Sequence, residues 1–523
     1  MSFYRMSMAL LLAVTTTGCA RFVTAPLGAR NDAAARKQAE VHAQAFASKE
    51  LAGILGDHPL PAEASGLSTE FLRQIDTNGN GLLESGEKRS AFREIWSAMV
   101  AVANERAKGE SLPPPSMVTP QQEYQVRHSL AFTPATAEVY IDAGEIMPAV
   151  FQALQEARDS IWMDLFLLGG SEGLKLAELL VAKSHQGLDV RIIHDPGYGL
   201  AGAAHAQIVP VIRYLLAHGV QVRSYPLAYM PRRRGHPLAN RFQIDHNKFL
   251  IVDRRTAMVG TMNLIDLGVM NHDVYVKVQG DVAHELAAIH SATWQLRGSK
   301  PPVFSPSQTP VPQNYHLLKL GEGAALAAPP NATARVTKTD IDQQDTKTLL
   351  IEAIEESKKS VDIAIFEFGD VDVAQALIQA YQRGVAVRVL ADRNANYHKY
   401  LDAFKNLRLY GTPNLLTVSL LHQAGVPTKW YVPQLADQEL HMKLALFDGE
   451  RAMVGSTNFT QQAFTTFRET NLDLKSPRVV EKLELMFQKD WDERAKPASK
   501  ANFQDKCIVA AVRAFDKFRL SWW

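Results

Sequence analysis

Apolar residues are laid along this chain in two alternating rhythms. Ser160–Leu167 and Leu188–Asp195 are short, nearly unbroken apolar runs, whereas Ala143–Ala157 and Leu174–Ser184 space their apolar residues at helical intervals. Unbroken runs of that length predict strands buried on both faces, and the periodic segments predict the helices that cover them. The expected fold class is therefore α/β, with a largely parallel sheet. The pattern then returns. Ser360–Phe366 and Val385–Asp392 repeat the two strands, with a helix expected over Ala374–Gln382, and Gly219-Val220 and Gly425-Val426 each follow a helix-like run. Matched residues lie between 200 and 195 positions apart, or 206 at the Gly-Val pair, so a whole α/β unit is duplicated.

The same pattern divides the chain. A first unit is expected at 130–298 and a second at 341–496, with a linker at 299–340 that carries Pro301, Pro302, Pro306, Pro310, Pro312, Pro329 and Pro330. Residues 497–523 read as a closing helix with Ile508, Val512, Phe515 and Phe518 in register, and that face, like Cys507, is expected to fill a core. Upstream, 19–112 is helical in character, and Pro113-Pro114-Pro115 and Pro120 mark a linker at 113–129. Residues 1–18 differ: Arg5 precedes the apolar Met8–Val14, and small residues lead to Thr17-Gly18-Cys19-Ala20. That run is too short to span a bilayer and follows the export pattern of a signal peptide. Cys19 directly after Gly18 resembles a bacterial lipoprotein signal, in which the Cys is acylated, although Thr16 stands where Leu is usual. The expectation is an exported, lipid-anchored protein of the bacterial cell envelope, in the periplasm or at the outer membrane. Only Cys19 and Cys507 occur, so there is no disulfide framework to read.

Composition weighs against one class and adds one candidate site. The 523 residues are 46% hydrophobic and 21% charged, as in an ordinary globular protein, and the formal net charge is +1. A protein that grips nucleic acid through its phosphates has a basic excess, so the balance weighs against that class; Arg232-Arg233-Arg234 reads as a solvated loop. Residues 76–87 fit the twelve-residue calcium loop of an EF-hand. Asp76, Asn78, Asn80, Glu84 and Glu87 supply side-chain oxygens, Leu82 its carbonyl, Gly81 the sharp turn and Leu83 the apolar position. No second loop is visible in the sequence, and the two Asn lower the ligand charge, so the expected Ca²⁺ site is weak and structural or regulatory.

The strongest signal occurs twice. His246-Asn247-Lys248 runs through four residues to Asp253 and closes with Gly260-Thr261-Met262-Asn263; His441-Met442-Lys443 runs likewise to Asp448 and closes with Gly455-Ser456-Thr457-Asn458. On a strand, each His and Lys two apart share a face. Asp253-Arg254 and Asp448-Gly449 look like hairpin turns, whose return strands bring Asn263 and Asn458 back to the His-Lys end. Two His, two Lys and two Asn suit a phosphodiester. The cations and amides hold non-bridging oxygens, one imidazole attacks phosphorus and the other protonates the leaving oxygen. A carboxylate behind each His would fix its tautomer, and no metal is needed.

These paired motifs resemble the phospholipase D superfamily, over roughly residues 130 to 495. The resemblance implies two similar α/β/α domains about a pseudo-twofold axis, preceded here by a small helical EF-hand region, and a phosphohistidine intermediate. By chain order it implies His246 as nucleophile and His441 as general acid. Lys248, Lys443, Asn263 and Asn458 would bind phosphate, and Asp253 and Asp448 would support catalysis. Glu469 matches the acid that often follows the second motif, and Asp273 is a looser counterpart in the first. The expected substrate is a phospholipid whose phosphatidyl group is hydrolysed or transferred, by an enzyme active as a monomer. The rival readings are an extracytoplasmic nuclease using the same residues and a calcium-binding surface protein whose duplicated domain only binds.

Overall fold

The computed structural model describes residues 59–61, 76–87, 90, 130–195, 203–224, 244–294, 326–340, 343–393, 413–465 and 467–498, apart from 267, 327, 436 and 437. The signal segment, Cys19, the tri-arginine run, Cys507 and the closing helix lie outside the described residues. Within the EF-hand-like loop, Leu82–Leu83 (β2) pairs antiparallel with Leu60–Pro61 (β1).

The first unit runs Thr133–Ile141 (β3), helix Asp142–Glu156 (α1), Ser160–Leu165 (β4), helix Gly170–His185 (α2), Asp189–His194 (β5), helix Ala203–Ala217 (α3), Gln221–Ser224 (β6), Lys248–Val252 (β7), Thr256–Gly260 (β8), Val274–Gly280 (β9) and helix Asp281–Trp294 (α4). The second repeats it: Ala332–Asp340 (β10), the short Gln343–Gln344 (β11), Asp345–Glu356 (α5), Ser360–Ile365 (β12), Val371–Gln382 (α6), Ala386–Ala391 (β13), Asn414–Gln423 (α7), Thr428–Tyr431 (β14), Lys443–Phe447 (β15), Arg451–Gly455 (β16), the short Gln461–Thr465 (α8), Glu469–Lys475 (β17), Pro477–Glu493 (α9) and Ala495–Pro497 (β18).

Two expectations need correction. The sheet is mixed rather than largely parallel. Only β4-β5-β6 and β12-β13-β14 are parallel, because the motif strands return through tight hairpins instead of helical crossovers. The linker also ends sooner than residue 340, since β10 occupies Ala332–Asp340. Its alternating pattern, ATARVTKTD, lacks the unbroken apolar run used to find strands.

Among the described residues the two units form one sixteen-stranded sheet. Ala332, Thr333 and Ala334 of β10 pair antiparallel with Ala135, Pro134 and Thr133 of β3. Outward from that pair, the order β9-β8-β7-β4-β5-β6 on one side mirrors β17-β16-β15-β12-β13-β14 on the other, so the halves are related by a local twofold axis. β4 and β7 are buried at every residue, as their apolar runs require. One core is shared between the halves: Phe249, Ile251 and Leu286 of the first pack in the same cluster as Leu444, Leu446 and Phe487 of the second. At roughly 1.5–3 kcal/mol per buried side chain of this size, that shared core holds the halves firmly together.

Candidate active site

Both motifs lie where the halves meet. Lys248 opens β7 and Lys443 opens β15, so each His stands just before its strand. The segments ahead of these strands cross to the opposite half. His246 N donates to the Arg468 carbonyl at 3.0 Å, and His441 N donates to the His272 carbonyl at 3.0 Å. The motif glycines permit close packing against the next strand, because a Cβ on Gly260 would collide with Tyr275 and the Val274 carbonyl, and one on Gly455 with Asn471 and the Thr470 carbonyl.

The carboxylates behind the imidazoles are exchanged between halves. His246 Nδ1 lies 3.0 and 3.1 Å from the two carboxylate oxygens of Glu469, and His441 Nδ1 lies 2.9 Å from Asp273 Oδ1. With Nδ1 taken up by an acid, Nε2 is the nitrogen left to face a reactant. Asp273 Oδ1 also accepts a hydrogen bond from the Thr261 hydroxyl at 2.5 Å, which gives the motif's hydroxyl position a role.

Each lysine caps its own half's histidine. Lys248 Nζ donates to the His246 carbonyl at 2.8 Å and Lys443 Nζ to the His441 carbonyl at 2.6 Å. Phe166 and Phe366 back both groups. Their rings lie 4.7 and 4.9 Å from the rings of His246 and His441, and each lysine ammonium sits 5.0 Å from the centroid of its phenylalanine. Sequence reasoning placed these phenylalanines only as strand residues, although their 200-residue offset in the repeat was a signal. Asn263 and Asn458 are buried; Asn458 Nδ2 donates to Glu367 at 2.9 Å, and the Oδ1 atoms of both Asn have no hydrogen-bond partner.

Asp253 and Asp448 take no part in this cluster, which corrects the supporting role expected of them. Both lie at the far ends of β7 and β15 with positive φ, 53° and 55°, in the hairpin turns. Asp253 accepts from the backbone N–H groups of Arg158, Asp159 and Ser160, and Asp448 from those of Lys358, Lys359 and Ser360. They tie each hairpin to the start of the neighbouring strand.

Burial dominates the electrostatics of the site. Burial, followed by the nearby lysines and His441, holds His246 well below the ordinary imidazole range. Burial and Lys443 bring His441 down to about 4, against the pull of Asp273. Burial and Lys443 lower Lys248 to about 7, and burial lowers Lys443 to about 8. Burial pushes Glu469 well up despite Lys248, whereas Asp273, though also buried, is held low by His441, Lys443 and the Thr261 hydroxyl. An anion brought among them would favour the charged forms of the lysines.

The halves differ beneath the motif. Asp164, Asp245 and Asn247 form a buried polar cluster, with Asn247 Nδ2 donating to Asp245 at 2.8 Å and to Asp164 at 3.5 Å. The matching positions are Ala364, Leu440 and Met442, all in the shared apolar core.

A duplicated α/β fold with this two-histidine, two-lysine centre defines a phosphodiester-processing class. The model of a family described as "Cardiolipin synthase, PLD-like domain" matches residues 150–294 and 350–491, more than half the chain, and the chain belongs to that family. It is a phospholipase D-like enzyme of the phosphatidyltransferase class. The chain is similar to cardiolipin synthase A of Pseudomonas entomophila (strain L48), 27% identical over 370 residues that cover 68% of each protein. It is also similar to the probable cardiolipin synthase YwiE of Bacillus subtilis (strain 168), 24% identical over 387 residues, 71% of this chain and 70% of that one. Its fold is similar to that of phosphatidylserine synthase from Haemophilus influenzae Rd KW20, with a TM-score of 0.56, 13% identity, and coverage of 76% of this chain and 97% of that one.

Proposed function

We propose that the protein moves the phosphatidyl group of one phospholipid to an alcohol or to water, through a phosphohistidine on His246. His246 Nε2 attacks phosphorus and the bond to the leaving alcohol oxygen breaks, while His441 gives that oxygen its proton. The incoming alcohol or water then loses a proton to His441 and attacks phosphorus, the P–N bond breaks, and both histidines are restored. Lys248, Lys443, Asn263 and Asn458 hold the non-bridging oxygens as charge builds on them. The observation that supports this reading best is the exchange of carboxylates, each holding one imidazole by Nδ1, beside two desolvated lysines. Burial favours a neutral His246, as a nucleophile requires, and Asp273, held low, is the carboxylate that stabilises an imidazolium on His441 once that ring takes up a proton.

The test is turnover of the mature protein on phosphatidylglycerol and phosphatidylcholine vesicles and on DNA, beside His246→Ala and His441→Ala. Headgroup release or cardiolipin formation lost in both variants supports the reading. DNA cleavage without lipid turnover overturns the substrate.

Two further proposals accompany it. The loop at 76–87 binds Ca²⁺ for structure or regulation. Its Gly79 and Gly81 take φ 67° and 72°, Gly81 N donates to Asp76 Oδ2 at 3.0 Å, and the buried Asp76 Oδ1 has no partner. Glu87 is turned onto the backbone N–H groups of Thr77 and Glu84, and among the described residues no three acids or histidines are gathered as a metal cluster, so binding requires Glu87 to turn inward. Acylated Cys19 anchors the protein in the envelope beside its lipid substrate; palmitate labelling that survives Cys19→Ser would refute this. No helix among the described residues is long and apolar enough to cross a membrane.

A further inference from the structure

His272 stands one residue before Asp273, outside the motif, and both of its ring nitrogens meet carboxylates. Nδ1 lies 2.6 Å from Asp142 Oδ1 and Nε2 lies 2.7 Å from Asp490 Oδ2. Ionised carboxylate oxygens only accept, so both nitrogens donate and the ring is an imidazolium. Asp142 belongs to the first half and Asp490 to helix α9 of the second, so the ring bridges the halves.

The same contacts fix Asp273. Asp142 Oδ1 accepts from Asp273 N at 3.1 Å, and Asp142 N donates to the Asp273 carbonyl at 3.0 Å. Asp142 takes a φ of 58° in doing so. On the other side His272 N donates to the Glu439 carbonyl at 2.8 Å, and His441 N donates back to His272 at 3.0 Å. The dipeptide His272-Asp273 is thus pinned between Asp142 and the strand start that carries His441.

The other half supports the comparison. Arg468 precedes Glu469 as His272 precedes Asp273, and its guanidinium pairs with Asp245 and Asp340, each at 3.2 Å, and donates to Thr293 of α4. Each carboxylate that orients a histidine is therefore preceded by a cation reaching across the interface. One of these cations is permanent and the other is an imidazole.

We propose that His272, as an imidazolium bridging Asp142 and Asp490, is the positioning residue that sets Asp273 against His441. The inference rests on the assignment of His441 as general acid. The groups around the ring are Asp142, Asp490 with Arg494 Nη1 at 3.5 Å from its other oxygen, the Tyr431 ring stacked at 5.7 Å, and Asp273, which itself faces His441 and Lys443. Burial opposes the charge on His272, but Asp142 and Asp490 outweigh it and raise the group to about 9, so the bridge persists at neutral pH.

The test compares full-length wild type with His272→Gln, His272→Arg and, should the first not fold, Asp490→Asn. On phosphatidylglycerol vesicles His272→Gln is expected to lower kcat by about tenfold or more with KM within about threefold, a part of what a general acid contributes. On a p-nitrophenyl phosphodiester, whose leaving group needs no proton, the burst of p-nitrophenol should change little, and His272→Arg should recover kcat. Histidine ¹⁵N spectra at pH 7.5 should show His272 doubly protonated, with the His441 Nδ1 resonance moved by His272→Gln. Equal losses on both substrates, or a neutral His272 ring, would overturn the proposal. The spectra report on positioning even if neither substrate is turned over, a result that would instead fault the assigned function.

Discussion

The exchange of carboxylates makes a prediction that separates the two histidines. Consider Glu469→Gln and Asp273→Asn, nearly isosteric changes that remove a carboxyl within 3.0 Å of His246 Nδ1 and 2.9 Å of His441 Nδ1 respectively. A hydrogen bond to a charged group is worth roughly 1.5–3 kcal/mol. When His246 becomes cationic on bonding to phosphorus, a carboxylate about 4 Å from the centre of that charge adds up to about 4 kcal/mol at an effective dielectric of 20. The expected loss in kcat is therefore about 2–4 kcal/mol, or roughly 30- to 900-fold, for each variant on a phospholipid. The substrate distinguishes them. With a p-nitrophenyl phosphodiester no acid is needed for departure, so Asp273→Asn should recover most of its burst rate. Glu469→Gln should stay slow, because attack by His246 is still required. Stopped-flow release of p-nitrophenol reads the first step alone. If Asp273 served the histidine of its own half, the pattern would invert, and that inversion would refute the crossed arrangement. A loss under about threefold in both variants would refute the electrostatic argument itself.

Further expectations follow from the same geometry. Asp253→Ala or Asp448→Ala should lower stability to urea by roughly 1–3 kcal/mol through the lost turn hydrogen bonds while leaving kcat per folded molecule within about twofold; a loss of kcat without a shift in the urea midpoint would restore a catalytic role. Lys248 near 7 and Lys443 near 8 become neutral as pH rises, so kcat/KM for the free enzyme should fall through that range. A bound anion raises both lysines, so kcat should hold to higher pH; a kcat/KM profile flat to pH 9 would count against their role in binding phosphate. Millimolar Ca²⁺ should raise the melting temperature and release heat in titration calorimetry, both lost in Asp76→Ala with turnover kept. Loss of turnover on chelation with no change in melting would contradict a structural role for calcium.

The duplication and the two His-Lys pairs are legible because strands buried on both faces must be apolar, and because spacing within a motif survives duplication. Other features depended on contacts between distant segments. β10 is hidden in the sequence because it alternates, in ATARVTKTD, and adjoins a region dominated by prolines. The mixed sheet was hidden because an apolar strand has the same composition whichever way its neighbour runs. Asp253 and Asp448 were assigned by their place in the motif, and spacing does not distinguish a turn tie from a reacting group. The pairing of Glu469 with His246, 223 residues apart, follows from the twofold relation between the halves and from no local pattern.

A self-pairing unit that lends its acid to its neighbour's base would build two identical stations, each obliged to serve as both attacker and proton donor. Fusion into one chain fixes the ratio of the copies at one to one and removes the need for them to stay alike. The divergence is visible where it matters: Glu469 against Asp273, Arg468 against His272, and the buried Asp164, Asp245 and Asn247 against Ala364, Leu440 and Met442. Covalent tethering leaves each copy free to depart from its sibling, because a change in one half need not be matched in the other.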